Sequence, residues 1–224
     1  MPTSQRPAPY QPGRPAELAK ALTVLLNPQW LQLYWLLGVL DYIDARWEAF
    51  VYTLLAMGIL PTLGYLAYSR GLKLPNTYDL PHRYRLVPFG FNFLGLALML
   101  PMLFAWPEWV DTTFTGSVAH FQVTAGYCAA SSLVAALITL RYKLSLHMVG
   151  YCALAVPMAY VDLLPHPQVE VGLLVGELLK FGALGILVGW SRLFLRAHTS
   201  AEVLWGTVVG ILVALGYWAV VWTV

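Results

Sequence analysis

The chain has 224 residues, of which 59% are hydrophobic and only 11% charged, against about 45–50% apolar and about 25% charged in an ordinary soluble domain. That balance excludes a conventional soluble enzyme, and a net charge of +2 is too small to mark a nucleic-acid-binding surface. The apolar residues gather into runs near the length that a bilayer core about 30 Å thick demands of a helix. They lack the alternation of an outer-membrane barrel, and backbone groups in lipid must be satisfied internally, so the runs imply helices. The expected fold is all-α: a polytopic transmembrane helical bundle of six to seven spans.

Residues 1–16 are rich in proline and poor in aliphatic side chains, which predicts a disordered or extended tail. No apolar segment with a small-residue cleavage site occurs in it, so it does not read as a signal peptide. Residues 17–224 form one transmembrane domain. Its first apolar segment, Leu18 to Leu40, is interrupted by Asn27-Pro28; the proline either kinks a helix or separates a surface helix from a short span. A second span runs from Trp47 to Tyr68 with Pro61 inside it, and a third from Val87 to Trp106. The remaining spans are Val118 to Leu140, His147 to Leu164, Val171 to Trp190 and Ala201 to Thr223.

Because each crossing changes sides, the N-terminus and the segments after the second, fourth and sixth spans share one face. Arg6, Arg14, Lys20, Arg70, Lys73, Arg83, Arg85, Arg141, Lys143, Arg192 and Arg196 fall there, whereas Arg46 alone falls on the other and Lys180 lies within the sixth span. The positive-inside rule then makes the N-terminal face cytoplasmic, in what reads as a bacterial inner membrane. Cys128 and Cys152 sit in apolar runs and read as packing residues, with no disulfide framework or metal cluster to be built from them. His82 and His120 read as interfacial polar residues.

The chemistry concentrates at the end of the sixth span, in Ser191-Arg192-Leu193-Phe194-Leu195-Arg196-Ala197-His198-Thr199-Ser200-Ala201-Glu202. At a helix start, His198 and Glu202 are four residues apart and share a face, so the carboxylate can hold the imidazole in one tautomer and stabilise its charged form. Arg192 offers a planar fork suited to phosphate oxygens. Thr199 and Glu202 also fit a capping box, and both roles coexist only if one carboxylate reaches the backbone and the imidazole together.

This stretch resembles the third signature of the type 2 phosphatidic acid phosphatase superfamily, which is Ser-Arg, five residues, His, three residues, Asp, with Glu202 here in the place of Asp. Leu144-Ser145-Leu146-His147, preceded by Lys143, matches part of the second signature, Pro-Ser-Gly-His. The first signature, Lys, six residues, Arg-Pro, is replaced by the arginine-rich segment Asp79-Leu80-Pro81-His82-Arg83-Tyr84-Arg85-Leu86-Val87-Pro88. All three clusters follow even-numbered spans and so fall on one face.

The resemblance implies a metal-independent, cofactor-free phosphatase acting on a membrane lipid phosphate. In it His198 is the nucleophile, His147 the general acid and base, and Glu202 the group that orients His198. Arg192, Ser145, Lys143 and Arg85 bind the phosphoryl oxygens. Two other readings stay open: a non-catalytic protein of the same fold that binds anionic lipid or a partner protein, and a small membrane transporter. The transporter is motivated by Glu177 and Lys180, which lie within the sixth span at helical spacing and either pair with each other or line a polar path.

Overall fold

The computed structural model describes residues 13–42, 47–72, 86–104, 115–163 and 171–221. Among these residues the chain is all-helical: α1 Arg14–Leu25, α2 Pro28–Tyr42, α3 Trp47–Gly71, α4 Val87–Phe104, α5 Thr115–Arg141, α6 Leu146–Leu163, α7 Val171–Phe194 and α8 Ser200–Val221. Helix α1 begins at Arg14, slightly earlier than the tail boundary expected from composition; Pro15 falls in its first turn, where its missing N–H has no helical acceptor to lose.

Asn27-Pro28 divides the first apolar segment into two helices. Pro28 opens α2, and the Asn27 side-chain oxygen accepts from the Gln29 amide at 3.1 Å, capping the new helix. Helix α2 has 15 residues and rises only about 22 Å, short of a hydrocarbon core about 30 Å thick. It is nevertheless the centre of the fold. Leu31, Leu33, Trp35, Leu36, Val39 and Leu40 are all buried, and α2 packs against α3, α5 and α6.

Pro61 is accommodated inside α3. Its ring would collide with the Met57 carbonyl in a regular α-helix, and the chain widens into a π-helical stretch at Leu54–Ile59 immediately before it. The Met57 carbonyl, which Pro61 has no N–H to meet, accepts instead from the Gln29 side chain of α2 at 3.3 Å. Tyrosines likewise donate to carbonyls of neighbouring helices, among them that of Ala153, which Pro157 has no N–H to meet. Tyr127 donates to Ala153 at 2.8 Å, Tyr151 to Phe181 at 2.6 Å, and Tyr52 to Leu98. Edge-on contacts of Trp35 with Tyr127 and Tyr217, at 5.7 and 5.4 Å between ring centres, join α2 to α5 and α8.

The most extensive helix pair is α6 with α8. Gly206 and Gly210, four residues apart on α8, let it lie directly on α6. A β-carbon at Gly206 would stand 2.8 Å from the Ser145 carbonyl oxygen, and one at Gly210 would stand 2.6 Å from both the Val149 oxygen and the Cys152 β-carbon. This is the small-residue spacing that brings helices together in membranes, where hydrophobic driving force between helices is absent.

Among the described residues three helices are long and apolar enough to cross a membrane: Trp47–Gly71, Gln122–Arg141 and Ser200–Tyr217. Phe89–Met99 and Leu146–Ala159 are shorter apolar helices. On α7, Lys180 and Glu177 form an ion pair of 2.5 Å, the mutual pairing open to them at that spacing.

Replacing Gly210 by Leu forces the α6–α8 pair apart. The variant should lose about 1–3 kcal/mol or more of stability, read as a lowered unfolding temperature of the detergent-solubilised protein, whereas Gly216→Leu, at a glycine with open space around it, should leave that temperature close to wild type.

Candidate active site

The site is assembled where α7 ends and α8 begins, and the five-residue interval between Arg192 and His198 has a local cause. Ala197 donates its amide to the Arg192 carbonyl at 3.1 Å and Arg196 donates to Leu193 at 2.9 Å, the paired bonds of a Schellman turn closing α7. Arg196 takes the left-handed position of that turn, with φ of 52°, where glycine is more usual. The turn reverses the chain so that His198 and Arg192 line the same cavity.

The next helix then starts with a complete capping box. The Glu202 amide donates to the Thr199 hydroxyl at 3.3 Å, and the Thr199 amide donates to Glu202 Oε2 at 3.1 Å. The same Oε2 lies 3.0 Å from His198 Nδ1. One carboxylate therefore serves both purposes. Since a carboxylate can only accept, the proton of a neutral His198 is on Nδ1 and the lone pair on Nε2.

Helix α6 brings the second cluster. Ser145 donates its backbone amide to the Glu202 carbonyl at 3.1 Å, tying the start of α6 to the start of α8. Lys143 Nζ lies 3.7 Å from the other carboxylate oxygen of Glu202. His147 Nε2 lies 3.2 Å from the Thr23 carbonyl of α1, which places a proton on Nε2 because a carbonyl can only accept. Thr23 is fixed in turn by a 3.3 Å contact between its hydroxyl and that of Ser191, which donates to Val188 at 2.7 Å.

Arg192, His198, His147 and Lys143 line one cavity of about 370 Å³, which continues between α1, α2, α3, α4 and α5 along largely apolar walls. Arg192 is buried. Glu202 stands behind His198 and is not part of the cavity wall. Ser145, expected to meet phosphate, is fully buried and also absent from that wall. Its carbonyl accepts from Met148 and Val149 at the start of α6, and its hydroxyl has no hydrogen-bond partner among the described residues. The expected phosphate ligand Arg85, with His82 and Arg83, lies outside the described residues.

Burial holds the His198 imidazole down to about pKa 4, and the Arg192 guanidinium adds to that shift, while the hydrogen bond and charge of Glu202 oppose it. The ring is thus neutral at physiological pH, with Nε2 available as a nucleophile. The arrangement can present a nucleophilic nitrogen, a second imidazole and two cations to an anionic group that enters the cavity.

Sequence reading missed Thr23, whose contact with His147 spans 124 positions and leaves no local signal. It also missed the Gly206 and Gly210 pair, whose four-residue spacing was a readable packing signature. A folded-state pKa below the unfolded value means that neutral His198 contributes stability fully present above about pH 6.5 and lost as pH falls toward about pH 4. The unfolding temperature should therefore fall over that interval, and less steeply in His198→Gln. Comparison of the chain with protein-family models, with curated proteins and with solved structures finds no match to any of them.

Proposed function

We propose that this chain is an integral-membrane phosphatase of the type 2 phosphatidic acid phosphatase superfamily, hydrolysing lipid phosphate or diphosphate monoesters through a phosphohistidine. The observation that carries the reading is His198, held through Nδ1 by Glu202 in a cavity also lined by Arg192, Lys143 and His147. That combination matches what phosphoryl transfer without a metal asks of a protein: a nucleophile, an orienting acid, a proton donor and positive charge around the equatorial oxygens.

In the first step His198 Nε2 attacks phosphorus and the bond from phosphorus to the lipid oxygen breaks. Glu202 balances the positive charge that appears on the phosphorylated imidazole. His147, neutral while the cavity is empty, takes the proton of the entering phosphate monoanion on Nδ1. Its Nε2–H stays on the Thr23 carbonyl while its Nδ1–H passes to the departing lipid oxygen, leaving a neutral ring. In the second step that ring takes a proton from water, the water oxygen attacks phosphorus, the phosphorus–nitrogen bond breaks and inorganic phosphate leaves with the proton that His147 returns to it. Both histidines end as they began.

The bundle crosses the membrane six or seven times in this reading, and the charge bias places the N-terminus and the site on the cytoplasmic face. A non-catalytic lipid-binding role is favoured by one feature, the buried Ser145 hydroxyl outside the cavity wall. Two experiments test these statements. Purified protein should release phosphate from at least one of a panel of lipid phosphates and diphosphates, and His198→Ala should lower that release by about a thousandfold or more; equal rates would overturn the assignment. A cysteine at position 3, in Thr3→Cys, should resist a membrane-impermeant thiol reagent in intact cells and react after lysis.

A further inference from the structure

The cavity wall carries a second polar group, made from three helices. Gln32 of α2 donates from Nε2 to the Ser132 hydroxyl of α5 at 3.0 Å and to the Cys128 carbonyl at 3.3 Å. Asn92 of α4 donates from Nδ2 to the same hydroxyl at 2.7 Å. Gln32, Asn92 and Ser132 are 4%, 9% and 5% exposed, and all three line the cavity that holds His198 and Arg192.

The bonds of Gln32 spend both of its amide N–H groups, and the Cys128 carbonyl, which can only accept, fixes which way that amide faces; Asn92 spends one N–H on the Ser132 hydroxyl. The acceptor ends remain: Gln32 Oε1 and Asn92 Oδ1 are both buried with no hydrogen-bond partner among the described residues. Leaving such an acceptor unmet is costly, and a polar side chain within an apolar bundle is expensive unless it serves a purpose. Carbonyl oxygens repel a phosphate and gain nothing from a hydrocarbon chain. They are satisfied by hydroxyl or amide N–H donors.

We infer that Gln32, Asn92 and Ser132 form a subsite for a hydrogen-bond donor on the substrate backbone, selecting a lipid phosphate that bears a hydroxyl or amide N–H over one whose only polar group is its ester-linked phosphate. This rests on the phosphatase reading above, and narrows it from lipid phosphates in general to donor-bearing ones. A site built to bond a donor discriminates against an analogue lacking it, because the buried acceptors are then left unpaired.

Ceramide phosphate, with an amide N–H and a hydroxyl, and dioleoyl phosphatidic acid, with neither, are a suitable pair because both carry two chains. Wild-type protein in detergent should favour ceramide phosphate in kcat/KM by about tenfold or more, the worth of one to two net hydrogen bonds. Gln32→Leu, Asn92→Leu and the milder Ser132→Ala should each bring that ratio toward unity. An unchanged ratio in all three variants, the result expected if a buried water meets the two carbonyls, overturns the subsite.

Binding of the non-hydrolysable phosphonate analogues of both lipids, followed by the rise in unfolding temperature, tests the same preference without turnover. If no phosphate is released from either lipid or from any other member of the panel, the phosphatase reading falls. The subsite stands or falls separately, on whether the ceramide analogue binds wild type more tightly than the glycerol analogue and the variants lose that difference.

Discussion

The close approach of α6 and α8 is the contact on which the candidate site depends. Two glycines on α8 allow the backbone of one helix to rest on that of the other, and the contact runs to the point where Ser145 donates its amide to the Glu202 carbonyl. Histidines 51 positions apart are thereby carried to one end of the bundle by helix starts that are hydrogen-bonded to each other. In lipid, where apolar surfaces gain little by leaving the solvent, such a contact must be built from van der Waals packing and backbone bonding. Few side chains are spent on it.

Glu202 shows how economically the end of the bundle is organised. Its backbone carbonyl holds α6, its Oε2 closes the first turn of α8 and orients His198, and its Oε1 faces Lys143. Helix integrity, inter-helix register and imidazole orientation thus share one residue. Glutamate rather than aspartate suits this load, because the capping box needs a side chain able to reach back three residues to the Thr199 amide.

What could be read from the sequence is what is written locally. The break at Asn27-Pro28, the pairing of Glu177 with Lys180 and the register of Arg192, His198 and Glu202 are set by neighbours within a turn or two, where helical geometry is a reliable ruler. The placement of Ser145 was not legible, because whether a residue at a helix start turns its hydroxyl inward or outward is decided by Glu202 and the glycine face of α8, more than 50 positions away. The Gln32, Asn92 and Ser132 group was half legible. Each is a polar residue in an apolar run, yet nothing local tells that three helices bring them to one wall.

The hold on His147 has an evolutionary corollary. The group that meets its Nε2 is a main-chain carbonyl, and every residue type supplies one. The chain can therefore exchange the side chain at position 23 without deleting that acceptor, and related proteins could share this support while showing no common residue there. Comparison of sequences column by column would pass over it. Only a comparison of where α1 ends, and how it lies across the start of α6, would reveal that the support had been inherited.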